Sequence, residues 1–117
     1  MWFHPGGLKV YLGLGHTDMR KSIDGLSILV SNHLKEDPFS GHLYVFCNRN
    51  HTILKLLYWD NNGFCLWQKR LEKHRFRWPL EPGDVKEIGI RELDWLISGL
   101  DIKQVNAHEK LFYSSVY

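Results

Sequence analysis

Apolar residues at Met19, Ile23, Leu26, Val30 and Leu34 recur at steps of three and four. That spacing marks a helix with one buried face. Thr17 is placed to cap it, with Asp18 favourable beside the positive helix end. Gly25 lowers its propensity, and the Asp37-Pro38 pair would end it before a turn at Ser40-Gly41. Ahead of the helix, Leu8 to Leu12 reads as a strand broken by Gly13 and Gly15. Behind it the period shortens to that of strands. Leu43 to Cys47, Ile53 to Trp59 and Phe64 to Leu71 are rich in aromatic and aliphatic side chains. Asn48 to His51 connects the first two runs, and Asp60-Asn61-Asn62-Gly63 is a hairpin turn between the last two. Pairing across that turn sets Trp59 opposite Phe64, Leu57 opposite Leu66 and Lys55 opposite Gln68 on one face. Leu56, Tyr58 and Trp67 then take the other. Apolar side chains on both faces predict a ribbon covered on both sides.

Past Trp78-Pro79, the Glu81-Pro82-Gly83-Asp84 stretch reads as a loop. Ile90, Leu93, Leu96, Ile97 and Leu100 fit a short second helix, with Gly99 where a helix stops. The predicted fold class is α+β: an antiparallel meander of three to five strands with two helices packed on it. Residues 103–117 show no clear period and read as a loosely ordered tail, although Leu111, Phe112, Tyr113, Val116 and Tyr117 offer apolar surface.

Length and composition fit one globular domain spanning residues 1–117. The chain has 117 residues, 44% of them hydrophobic and 24% charged. Two cysteines make no disulfide framework, and no apolar run is long enough to span a bilayer. Met1, Trp2 and Phe3 lack the basic flank of a signal peptide. A cytoplasmic protein is expected. The net charge of +2 says little, but its distribution says more. Residues 1–78 hold 11 Lys and Arg against 6 Asp and Glu, a balance of +5, whereas residues 79–117 hold 4 against 7, a balance of −3. A basic body with an acidic carboxyl segment suits a polyanion, although scattered surface charge gives the same count.

Most catalytic patterns are missing. Gly13-Leu14-Gly15 after a strand has the outline of a dinucleotide-binding turn, but Asp18 stands where the third glycine belongs and would repel a pyrophosphate. Cys47, His51 and Cys65 are soft ligands that would have to meet at the mouth of the meander. The cysteines equally suit small buried strand positions, and a structural zinc needs four ligands. A nuclease built from His42, Asn50 and His51 lacks the helix that completes such a site. Asp18, Asp24 and Asp60 form no obvious metal-binding set. No catalytic residue, metal or cofactor is expected.

The segment from Lys69 to Trp78 is the richest in possible function. Lys69, Arg70, Lys73, Arg75 and Arg77 crowd into nine residues opposed by Glu72 alone, which is the composition that neutralising phosphates requires. Phe76 and Trp78 interleave with Arg75 and Arg77, so alternate residues can supply a core face and a guanidinium face. A solvated strand edge protected by charge has the same pattern. Arg20 and Lys21, at the start of the first helix, would extend the basic surface.

Longer motifs carry a resemblance. Thr17-Asp18-Met19-Arg20-Lys21, the run from Asp37 to Phe46, the run from Tyr58 to Glu72, Arg75-Phe76-Arg77-Trp78-Pro79 and the run from Glu92 to Leu100 follow in order. Together they resemble the TnpB accessory proteins of the insertion-sequence-sixty-six transposon family, which share only a name with the RNA-guided nucleases called TnpB. His74 departs from the glycine expected there. The resemblance implies DNA transposition beside a separate transposase and supplies no catalytic residues. Two partners follow: DNA at the transposon ends and the proteins of the same element. The leading reading is a non-catalytic factor that touches DNA phosphates through the basic segment. The alternatives are a module that binds the transposase through aromatics such as Trp95 or Tyr113, and, more remotely, a metal-dependent nuclease.

Overall fold

The computed structural model of the chain describes residues 7–102. Strand β1 (Val10–Gly13) leads into helix α1 (Ile23–Asn32), then β2 (Leu43–Cys47), β3 (Ile53–Asp60), β4 (Gly63–Arg70), β5 (Val85–Ile88) and helix α2 (Ile90–Ile97). The strands form one sheet in the order β4-β3-β2-β1-β5. The α+β class and the two packed helices are as the sequence predicts. So is the hairpin register: Trp59 faces Phe64, Leu57 faces Leu66 and Lys55 faces Gln68. Asn61, with φ of 54°, takes the left-handed conformation the turn requires.

Two features lie outside the pattern reading. β1 runs parallel to β2, with α1 as the crossover between them. β5 pairs antiparallel with the outer side of β1 and lengthens the sheet to five strands. β2, at the centre, is buried along its whole length because both faces are covered. On one face Leu26, Val30 and Leu34 of the α1 region pack on Tyr44, Phe46 and Leu57. On the other, Leu93 and Leu96 of α2 join Val10, Leu12, Val45, Leu54 and Leu56. Phe76 and Trp78 complete that second core although they belong to no strand or helix.

The first helix starts later than its periodicity suggests. Thr17 does not cap it; its N–H donates to the Cys47 carbonyl at 2.8 Å. Ser22 occupies the cap position without a side-chain bond. The cause is Lys55, which is buried to 7% exposure and donates from Nζ to the carbonyls of Met19 and Lys21, both at 2.8 Å. Carbonyls engaged by an ammonium leave this stretch out of the helical ladder. At the other end α1 stops at Asn32, and Lys35 at φ 58° turns the chain left-handed before Asp37-Pro38 is reached. Helix α2 stops where Gly99 predicts. Gly99, at φ 83°, donates to Leu96, and Leu100 donates to Trp95, which together make a Schellman cap.

Candidate nucleic-acid interface

The basic segment begins inside β4 and leaves the sheet after Arg70. The Leu71 N–H still pairs with the Thr52 carbonyl at 2.8 Å, and the chain then turns through Glu72, Lys73 and His74. It is recaptured at Phe76, whose N–H donates to the His51 carbonyl at 2.7 Å. Trp78 Nε1 donates to the Gly15 carbonyl at 3.0 Å. Phe76 and Trp78 are 2% and 4% exposed, while Arg75 and Arg77 are exposed. Alternation of core ring and outward guanidinium is therefore real, and burial of two large rings fixes the strap that carries the cations.

The seven basic residues singled out in the sequence divide into two groups. Lys73, Arg75, Arg77 and Lys21 are exposed, and none forms an ion pair among the described residues. The other three are engaged. Lys69 is partly buried and donates from Nζ to the Ile97 carbonyl at 3.0 Å, tying β4 to the last turn of α2. Arg70 grips Glu72 through Nε and Nη2 at 3.2 and 3.1 Å. Arg20 forks onto Asp18, with Nη2 to Oδ2 at 2.6 Å. That bond holds the Asp18 carboxyl down at a pKa of about 2, and Asp18 in turn raises the guanidinium's own pKa. Arg20 and Lys21 lie in the loop before α1 rather than on its first turn.

The topology adds three residues that sequence spacing could not group. His16 follows β1, Arg49 and His51 follow β2, and Arg49 Nη2 lies 3.2 Å from His16 Nε2. The Asn48 side chain builds the turn that presents Arg49 and His51. Its Oδ1 accepts from the N–H groups of Thr52 and Ile53 at 2.8 and 3.1 Å, and its Nδ2 donates to Thr52 Oγ1 at 3.0 Å. Burial, then Arg75, then His16 push the His51 pKa below its ordinary value. Beside this cluster lies a groove of about 820 Å³, lined among others by His51, Arg75, Arg77, Leu80, Glu81 and Asp101.

The metal candidates do not assemble. Cys47 sits opposite Leu54, while Cys65 sits opposite Tyr58 two strands away from β2. That register separates the thiols by about 13 Å along the strands and about 10 Å across them. His42 precedes β2 and Asn50 and His51 follow it, so the nuclease trio is split by about 16 Å of strand. No group of three His, Cys, Asp or Glu able to hold a metal occurs among the described residues. Trp95, offered as an exposed protein-binding aromatic, is half-buried against the core, and Tyr113 lies outside the described residues. Phe39, Trp59 and Phe64 form a ring cluster at the hairpin tip instead, with centroids 5.0–5.2 Å apart and Phe39 58% exposed. No helix among the described residues is long and apolar enough to cross a membrane.

Comparison with known proteins agrees with the motifs. Residues 8–107 match the family model described as IS66 Orf2 like protein. The uncharacterized protein y4hO of Sinorhizobium fredii is 39% identical over 99 residues, covering 83% of this chain and 86% of its own length. The uncharacterized protein y4jC of the same organism is 31% identical over 99 residues, covering 85% of each. No solved structure matches the chain.

Proposed function

Because the chain belongs to the IS66 Orf2-like family of DNA-transposition accessory proteins, we propose that it serves transposition without catalysis, by touching DNA phosphates beside the transposase of its element. The observation that carries this reading is the strap from Lys73 to Trp78. Its two rings are sunk in the core while Arg75 and Arg77 project outward. Rigid backing of this kind is what positions cations against a phosphate backbone. Lys73 extends the same charge, and Lys21 would add to it from the small cavity that His16 lines. Arg70 and Arg20 join only by exchanging a carboxylate for a phosphate, and Lys69 serves mainly as a clamp on α2.

The test has two arms. A labelled duplex should bind the wild type and should bind an Arg75→Gln/Arg77→Gln variant far less, with the variant melting no lower than wild type in the absence of DNA. In parallel, a pull-down of the element's other proteins is run with and without nuclease. Equal duplex affinity for the two proteins, together with capture of the transposase that survives nuclease, favours the protein-binding alternative. The exposed ring cluster of Phe39, Trp59 and Phe64 is the surface that alternative would use.

A further inference from the structure

The carboxyl ends of β1 and β2 point the same way, because this is the sheet's parallel pair. Loops at the carboxyl ends of parallel strands are where open sheets gather ligand-binding groups. Here they gather positive charge. His16 touches Arg49 at 3.2 Å, His51 lies two residues beyond Arg49, and the bond from Phe76 N–H to the His51 carbonyl brings Arg75 alongside. We propose that His16, Arg49, His51 and Arg75 form one site for a phosphodiester of the DNA backbone, and that occupying it draws a proton onto His51.

Without an anion, two guanidiniums disfavour a charged imidazole. Burial, Arg75 and His16 all hold His51 toward its neutral form. A phosphate supplies a negative charge and acceptor oxygens for ring N–H donors, so the balance reverses and binding draws protons in. A His51 pKa raised in the complex gives tighter binding below its free value, lost as pH rises through the bound one. Carboxylates near the site are engaged or lie on the groove wall. Asp18 is held by Arg20, Asp84 Oδ1 lies 3.4 Å from His33 Nε2, Glu81 pairs with Lys86 at 3.1 Å, and Asp101 lines the groove. The remaining charged or titratable neighbours are Lys21 and His33, in the small cavity that His16 lines, and His74 and Arg77 in the groove. The site rests on the DNA-contact reading for the identity of its polyanion, whereas its affinity for phosphate does not.

The test compares wild type with a His16→Gln/His51→Asn variant. Asparagine suits the left-handed backbone at His51, whose φ is 60°. Duplex affinity is measured from about pH 6 to about pH 8. The wild type should weaken by roughly tenfold per pH unit for each proton taken up, and the variant's profile should be flatter by that amount. Separately, the ring resonances of His51 are titrated by NMR with and without inorganic phosphate, and the ring should titrate at higher pH in its presence. If the wild type binds no duplex at any pH but the His51 ring responds to phosphate, the DNA reading fails while the anion site stands. Identical pH profiles for the two proteins, or a His51 ring indifferent to phosphate, overturn the proposal.

Discussion

The salt dependence of duplex binding can be worked out from the positions of the cations. Each phosphate neutralised releases condensed counterions, giving a log–log slope of about −0.9 per contact. Lys73, Arg75 and Arg77 are exposed on the strap, so the segment should contribute about −2.7. Raising salt from about 50 to about 200 mM should then weaken that part of binding about 40-fold. Arg70 would add a fourth contact, but both of its bonds go to Glu72. Glu72→Gln releases it. An exposed pair of this kind is worth at most about 1 kcal/mol, so the variant should gain up to about fivefold in affinity, with a slope nearer −3.6. Fluorescence anisotropy of a labelled duplex across a salt series measures both quantities, with thermal melts alongside. A Lys73→Gln/Arg75→Gln/Arg77→Gln variant that keeps the wild-type slope and melting temperature would refute the reasoning. A Glu72→Gln variant that binds more weakly would count against the assignment of Arg70.

Three further outcomes concern the scaffold. Phe76→Ala or Trp78→Ala should each cost about 3–5 kcal/mol, lowering the melting temperature by more than about 10 °C, because both rings are core. Lys69→Met should cost about 1 kcal/mol by releasing the Ile97 carbonyl, yet leave the salt slope of duplex binding unchanged, as melts and anisotropy can show. Cys65, half-buried, should alkylate near pH 8 well before Cys47, whose burial pushes its thiol up to about 12; mass spectrometry of the native protein after a short exposure reads the order.

What the sequence showed and what it hid follow from how local each cause is. The hairpin from Ile53 to Arg70 was legible because one Asn-rich turn fixes its register and its aromatics alternate. The outward face of the strap was legible for the same reason: Arg75-Phe76-Arg77-Trp78 has a period of two. β5 was not. Val85 and Ile88 are its apolar residues, three apart, and they pack into opposite cores with Lys86 and Glu87 between them. Such a strand exists because β1 has a free edge to offer, which no local pattern records. The late start of α1 was hidden likewise, since it depends on Lys55, more than thirty residues away in sequence. The cluster of His16, Arg49, His51 and Arg75 draws on three separate stretches of chain. Only the parallel pairing of β1 with β2 brings the first two stretches together.

A site that concentrates like charge should weaken the free protein, and this separates a functional strap from a structural one. Arg49, Arg75 and two histidines crowd one end of the sheet, with Lys55 buried as well. The two guanidiniums repel each other, and an anion between them relieves that repulsion. Arg75→Gln should therefore melt slightly above wild type in phosphate-free buffer, by about 0.5 kcal/mol, the scale of one exposed charge contact. Duplex present at about 100 times its Kd should stabilise the wild type by about 2.7 kcal/mol. The variant binds more weakly and should gain less, so the order of melting temperatures should reverse when DNA is added. Loss of stability at a binding site in exchange for affinity is the usual pattern for functional residues. If Arg75→Gln melts below wild type both with and without DNA, Arg75 is holding the fold together, and the strap is a piece of scaffold whose charge serves solubility.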